Sequence, residues 1–529
     1  MPTDSVTFQD SGYFSKLIID YLNQKPELNQ FYNRFASLNN FAAQMNEKAN
    51  NYNHNNRKIL VDELTNQYLK LVATDTTLSN IKLLQNSSTF TITTGHQLNL
   101  FTGPMYFLYK IVSTINLCDI LKKQHPENHF VPIYWMASED HDFEEINYFN
   151  LKGKKIRWQQ DYSGAVGRLS TNGLEAVLNV FEKELGNGEN ANFLKELFKN
   201  AYIKNSNLAD ATRFVANELF GQYGLVILDP DSHKLKNIFK PYIKKELLQQ
   251  KSCEKVSKTI DALKDYNVQV NPREINLFYI DNNLRERITI ADNIYKINNT
   301  ETTFTKTEIL HELELFPEKF SPNVILRPLY QEIILPNLSY IGGGGEIAYW
   351  LELKTMFENN EITFPLLLLR NSVLIVTKKQ VDKANNLDLK WLDLFKKQDE
   401  LIKNQTIKKS TIEIDFTFQK KQLQQQFQAL HELAKQTDKS FVGAVKAQET
   451  KQIKGLENLE KRLLRAQKRV LHDELNRITD LQNQLFPNKG LQERQLNFSE
   501  FYLEYGDLLI QKLMKTLKPT VYEFVIVDF

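Results

Sequence analysis

"TFTITTGHQLNLFTGPMYFLYKIVSTINL", Thr89 to Leu117, is the stretch whose reading decides the fold. A β-branched run breaks into a loop holding Gly95, His96, Gln97, Thr102, Gly103 and Pro104, then passes into a long apolar helical pattern. The next stretch, "HFVPIYWMASEDHDFEEINYF" (His129 to Phe149), brings a second apolar run from Phe130 to Met136. Apolar runs of roughly four to eight residues between helices read as strands buried on both faces of a parallel sheet. Strand, helix and strand in that order predict a doubly wound α/β sheet. "GLVILDPD" (Gly224–Asp231), "LSYIGGGGE" (Leu338–Glu346) and "FPLLLL" (Phe364–Leu369) supply further strands of the same kind.

Around that core the chain divides by pattern. Residues 1–86 read as helical, with "NNYNHNN" (Asn50–Asn56) as a solvated turn. The α/β core spans 87–377 and carries inserted, β-containing subdomains at about 150–220 and 240–330. From 378 to 495 the composition shifts towards Lys, Gln, Glu and Leu. Leu423, Phe427, Leu430 and Ala434 recur at three- and four-residue spacing, and "TDKSF" then permits a reversal. Ile453, Leu456, Leu459, Leu463, Ala466 and Val470 keep the rhythm, which slips and resumes through Leu475, Ile478 and Leu485. That spacing, flanked by charge, predicts an antiparallel coiled-coil hairpin able to pair with a partner or a second copy. The last segment, 496–529, reads as one amphipathic helix and a strand docked back on the body.

Composition narrows the function classes. With 529 residues, 42% hydrophobic and 11% aromatic, the chain can bury several cores. A net charge of +2 argues against a protein that coats nucleic acid. Cys118 and Cys253 stand far apart and form no CxxC, so neither a disulfide framework nor a thiolate zinc site is expected. Cys118, among Leu117 and Ile120, reads as a small buried hydrophobe. "MPTDSVTFQDSGYF" lacks the basic end and apolar run of a signal peptide, and "FPLLLLRNSVLIV" is cut by Arg370 and Asn371 before it could span a bilayer. A cytoplasmic protein without membrane contact is the expectation.

Ligands of open α/β sheets bind beyond the carboxyl ends of the strands. Three loops leave such ends here. In the first, the glycines permit close backbone approach and the helix start offers partial positive charge. Gly95, His96, Gln97, Thr102 and Gly103, with Lys110 in the helix, are therefore candidate substrate or nucleotide contacts; a plain βα loop with Pro104 at the first helical position is the bland reading. The loop matches neither GxxxxGK[ST] nor GxGxxG.

The second loop crowds Glu139, Asp140, His141 and Asp142 at a strand end. Carboxylate beside imidazole suits general acid–base work, which makes Glu139, Asp140 and His141 candidate catalytic residues and Asp142 a substrate contact. The same atoms could hold a divalent metal, although none is expected beyond magnesium that accompanies a nucleotide. The third loop, Gly342, Gly343, Gly344 and Gly345 before Glu346, is costly in chain entropy, and close approach of a ligand or another backbone explains it; a flexible hinge is the alternative. Arg327 could clamp a carboxylate or simply lie on the surface.

Taken together, "TGHQLNLFTGPMYFLYK", "VPIYWMASEDHDFEEIN" and "RPLYQEIILPNLSYIGGGGEIAYWLELK" resemble the bacillithiol biosynthesis cysteine-adding enzyme family, along nearly the whole chain. The resemblance implies a nucleotidyltransferase-type Rossmann-like core with connecting-peptide insertions, and an α-helical coiled coil that supports a homodimer. It implies a reaction joining the carboxyl of cysteine to the amine of glucosaminyl malate. The family's first loop reads Thr-Gly-Gln-Gln, so His96 is a departure and Gln97 the firmer carry-over. The loop is also similar in position to the first signature loop of class I aminoacyl-tRNA synthetases, without that motif's second histidine. ATP or ADP is the expected nucleotide, with ATP the activator by analogy with adenylate chemistry. On this reading Asp140 and His141 orient the glucosamine and accept the amine proton, and the tetraglycine loop closes around cysteine or the sugar. The rivals are a non-catalytic coiled-coil scaffold that binds a nucleotide or sugar phosphate, and an adenylate-forming ligase with another amine acceptor. All three loops must then meet at one sheet rim.

Overall fold

A computed structural model describes residues 4–529. The chain forms two compact units. The first comprises Tyr13–Leu374 and Gln492–Val527, together with residues 4–9; the second is Ile375–Leu491 with the short pieces Asp10–Gly12 and Asp528–Phe529.

The first unit is built on five parallel strands. In chain order these are β1 (Thr89–His96), β2 (His129–Met136), β3 (Val226–Leu228), β6 (Asn337–Gly342) and β7 (Leu366–Leu369), and their spatial order is β7-β6-β1-β2-β3. β1 occupies the centre, and all eight of its residues are buried. Threonines are admissible there because their hydroxyls are paired. Thr91 and Thr93 donate to Asn337 Oδ1 at 3.2 and 2.8 Å, and Thr94 donates to Ile341 O at 2.7 Å. The helix α1 (Tyr106–Gln124) returns the chain across the sheet and is buried along most of its length. Leu117, Cys118 and Leu121 of α1 pack with Ile92, Leu338, Ile341, Leu366 and Leu368, which places Cys118 in the core and leaves both cysteines free thiols.

Two insertions interrupt the sheet. The first is a hairpin, Tyr148–Leu151 with Lys154–Arg157, followed by three helices, Leu174–Leu185, Glu189–Tyr202 and Leu208–Phe220; it is thus mainly helical, where the sequence pattern gave weight to its strands. The second follows the helix α2 (His233–Gln249). It is an antiparallel five-stranded sheet containing β4 (Leu277–Asp281) and β5 (Leu284–Ala291). Ile280 faces Arg285 and Phe278 faces Arg287 across this pair, so Phe278, Arg285 and Arg287 share one face. The chain then re-enters the main sheet through helix α3 (Leu326–Ile334), β6 and helix α4 (Gly344–Leu351).

Three sequence expectations change. The Asn-rich turn is not wholly solvated: Tyr52 and Asn56 are buried, donating to Ile334 O and Ile333 O at 2.7 and 3.1 Å. Pro104 lies ahead of the helix, which begins at Tyr106. The C-terminal segment holds two helices, Phe498–Tyr505 and Leu508–Thr516, before the strand Glu523–Asp528 pairs antiparallel with Asp4–Thr7.

In the second unit, helices α5 (Thr417–Ala434) and α6 (Lys439–Val470) form the hairpin. Asp438 caps the reversal by accepting from Ser440 N and Phe441 N at 2.8 and 3.0 Å. Phe427, Ala434 and Val445 pack together with Leu423. The slip in the apolar rhythm falls at Leu471, where one helix ends and His472–Leu485 begins.

Candidate functional site

The strand order reverses direction between β1 and β6, and a cavity of about 930 Å³ opens at their carboxyl ends. Gly95, His96 and Gln97 enter it from β1, Glu139 to Asp142 from the end of β2, and Gly343, Gly345 and Glu346 from the start of α4. Lys110 and Arg327 reach it from α1 and α3. The three loops therefore meet at one rim.

Not every residue of the first loop belongs there. Thr102 and Gly103 do not line the cavity; the residue before them, Phe101, packs on Phe149, Phe181, Phe198 and Phe498. Phe101, Thr102 and Gly103 all have positive φ. Asn497 holds the turn by donating to Phe101 O and Gly103 O at 2.8 and 2.6 Å. A Cβ on Gly103 would stand 2.6 Å from Asn99 Cβ, so packing and not a ligand requires this glycine. Gly95 is small because Tyr340 lies across it: a Cβ there would meet the Tyr340 hydroxyl at 2.9 Å.

His96 lines the cavity, but its ring is wedged against Tyr106 and Phe107 and is 6% exposed. Burial, reinforced by the charge of Lys110, pushes its pKa down to about 3. Proton transfer at neutral pH is therefore outside its range.

Lys110 is buried, neither facing solvent nor awaiting an anion. Its Nζ donates to Gly95 O at 2.7 Å and pairs with Glu346 Oε2 at 2.5 Å. Glu346 also accepts from Tyr340 OH at 2.6 Å and Gly343 N at 2.9 Å. Burial alone would raise the Glu346 carboxyl; Lys110 and these donors bring it below its ordinary value. This knot ties the first loop to the third. The tetraglycine run is thereby fixed, not a hinge. Gly342 is crowded by Glu346 Cβ and Tyr340, and Gly344 packs towards Phe14 and Ile18, so only Gly343 and Gly345 reach the cavity.

On the second loop, Glu139 is committed elsewhere. It is ion-paired with buried Lys236 of α2, which also donates to Phe320 O at 2.7 Å and so anchors the loop to the second insertion. Ser138 donates to Asp229 behind it. Asp140 accepts from His141 N at 2.8 Å and from Gln97 Nε2 at 3.2 Å. Burial would raise its pKa, but His141, Arg285 and Gln97 outweigh that and hold it at about 2. Asp142 is raised by burial and by Asp140. Gln97 donates also to Glu145 Oε2 at 3.0 Å, forming a bridge between two carboxylates.

Beyond Lys110 and Arg327, sequence reasoning missed the cavity's cations. Arg273, Arg285 and Arg287 come from the second insertion, Arg370 from the end of β7 and Arg494 from the C-terminal segment. Arg370 is consumed by Glu493, with two contacts of 3.0 and 2.7 Å. Arg327 donates to Gln331 and Tyr349 at 3.0 and 3.1 Å. Among the described residues Arg273, Arg287, Arg327 and Arg494 have no carboxylate partner, which suits an anionic ligand. For a cation, Asp140, His141 and Asp142 each offer one ligand atom within 4.8 Å of the others.

An open parallel sheet with a cavity at its switch point, lined by both unpaired arginines and carboxylates, defines a Rossmann-like small-molecule-binding domain. The chain belongs to the bacillithiol biosynthesis BshC family: the family's N-terminal Rossmann-like domain matches residues 1–371 and its C-terminal coiled-coil domain residues 373–529. A relative from Flavobacterium johnsoniae, named "Putative cysteine ligase BshC", is 62% identical over 527 residues, covering 100% of both chains. Proteins of the same name from Christiangramia forsetii and Bacillus cereus are 56% and 27% identical, over 100% and 94% of this chain and 99% and 95% of their own. Among the described residues, no helix is long and apolar enough to cross a membrane.

Proposed function

We propose that this chain is a cysteine ligase that joins the carboxyl of cysteine to the amine of glucosaminyl malate as an amide. The observation that carries the reading is the two-signed cavity. Unpaired Arg273, Arg287, Arg327 and Arg494 match the malate carboxylates, while Asp140, Asp142 and Glu145 match the glucosamine amine and hydroxyls. A nucleophilic amine must be neutral, and a free carboxylate resists attack, so the carboxyl needs activation. ATP is the proposed source of that activation, with magnesium accompanying it. Its phosphates fit the same class of cation that the cavity leaves unpaired, although no P-loop is present. The name cysteine ligase carried by the relatives supports the amino acid assignment.

Incubating the protein with cysteine, glucosaminyl malate and ATP, with mass spectrometry of the products, tests the reading. The amide is expected, and it is expected to vanish when ATP or cysteine is left out. An unchanged mixture would overturn the ligase assignment and favour a binding protein; an amide with another amine would redirect the acceptor.

A further inference from the structure

His141 is gripped from one side only. Its Nδ1 lies 2.8 Å from Arg285 Nη1 and 3.6 Å from Asp140 Oδ1. A guanidinium has donors and no acceptor, so the shorter contact is a hydrogen bond only if Nδ1 supplies the lone pair. The single ring proton then resides on Nε2. Arg285 has little freedom to let go. It is 7% exposed, its other nitrogens face Ser321 Oγ at 3.4 Å, and its guanidinium lies 4.0 Å from the centre of the Phe278 ring. Phe278 also packs on the imidazole, with ring centres 5.5 Å apart. Asp140 already accepts from His141 N and from Gln97. For Nε2, Asp142 Oδ1 at 3.9 Å is the ionic neighbour, beyond hydrogen-bond reach.

We infer that Arg285 is a positioning residue that fixes His141 with its Nε2–H turned to the cavity, so that His141 donates a hydrogen bond to a carbonyl or phosphate oxygen of the bound substrate. The inference rests on the proposed ligase reading for the identity of that oxygen, but not for the orientation of the ring. It replaces the proton-accepting role that the Glu-Asp-His-Asp pattern suggests, because the one lone pair of the ring is already occupied. Amide formation moves negative charge onto the oxygens of the activated carboxyl, and a fixed N–H donor is most effective where charge develops. Arg285 stands on the second insertion and His141 on the loop after β2, so the insertion supplies the part that sets the tautomer.

Two measurements test this, and they fail separately. Long-range ¹H–¹⁵N spectra of histidine-labelled protein, with the His141 signal assigned by its loss in His141→Gln, are expected to show the Nε2–H form. Arg285→Met is expected to give a mixture of both tautomers. An Nδ1–H or doubly protonated ring in the parent protein would overturn the inference whether or not the ligase reading holds. In the amide-forming assay, His141→Gln keeps an N–H donor near the Nε2 position but offers no imidazole base. It is expected to retain activity within about tenfold, while His141→Ala loses roughly 10²–10³ in kcat. Arg285→Met is expected to lower kcat at least tenfold with a smaller change in KM, and Arg285→Lys, still a donor, to recover part of it. Equal losses in the Gln and Ala variants, both folded by circular dichroism, would assign His141 to proton transfer and overturn the proposal. If the parent protein forms no amide, the ligase reading fails and the spectra alone decide.

Discussion

Asp140 shows what a single side chain contributes at this rim. Its carboxyl is held at about 2 against an ordinary 3.8. A group whose pKa is depressed by folding adds stability above its unfolded value and loses it as the pH falls through the folded one. The difference here is worth about 2 kcal/mol. Asp140→Asn should therefore lower stability by that order at pH 7, and the gap to the parent should close between about pH 4 and pH 2. Urea midpoints across that range check the expectation; a gap independent of pH would assign the loss to geometry. At this scale the sequence was a partial guide. The crowding of Glu139, Asp140, His141 and Asp142 after an apolar strand marked the right loop. It could not separate their roles, because Lys236 lies about a hundred residues from Glu139, and Arg285 still further from His141. Lys236 and Arg285 sit in unremarkable surroundings, and nothing in their own neighbourhoods announces a partner.

Elements explain why loops that look alike do different work. The first loop and the tetraglycine run both read as backbone cradles, yet half of each is packing. Gly103, with φ +61° and Asn99 against its face, admits no Cβ without strain. Gly103→Ala should cost roughly 1–3 kcal/mol. Asn497→Ala removes two donors from buried carbonyls and should cost a similar amount, roughly 1–3 kcal/mol. Both variants should lower the thermal midpoint while leaving the Lys110–Glu346 knot intact; calorimetry of the two, with ligand binding measured in parallel, checks this. A loss of binding equal to that of Lys110→Ala would place Gly103 in the ligand site after all. The strands themselves were legible because β-branched and apolar runs of the right length have few alternatives in a parallel sheet. Glycine, by contrast, records only that space is needed, and not who fills it.

For the whole molecule, the long-range ties matter most. Arg370, just after β7, and Glu493, after the second unit, form a buried pair with side-chain exposures of 4% and 1%. Removing one partner strands a charge, so Glu493→Ala should destabilise by about 3–5 kcal/mol, and Arg370→Met/Glu493→Leu together by much less. Chemical unfolding of the three proteins tests that order. In the second unit, Leu459 and Val470 remain 51% and 76% exposed on a helix whose apolar rhythm is regular. We propose that a second copy covers this seam, as a coiled coil would; Leu459→Glu should then shift a dimer to a monomer in light scattering, and an unchanged mass would set the proposal aside. The periodicity foretold these helices well, since a three-four repeat is a local property. It could not foretell which residues the segment after 491 would meet: the sequence docks 496–529 on the body, but no repeat or motif links Glu493 to Arg370 or Asn497 to Phe101.

That return has a consequence for how the protein is made. During synthesis, the nascent chain emerges with its α/β portion nearly complete at Leu374, yet Glu493, Asn497 and the strand that pairs with Asp4–Thr7 are still unborn. The whole of Ile375–Leu491 must leave the ribosome first. Until then, the guanidinium of Arg370 and the carbonyls of Phe101 and Gly103 wait for partners, so the ligand-binding half can mature only once the segment from Glu493 onward has been made.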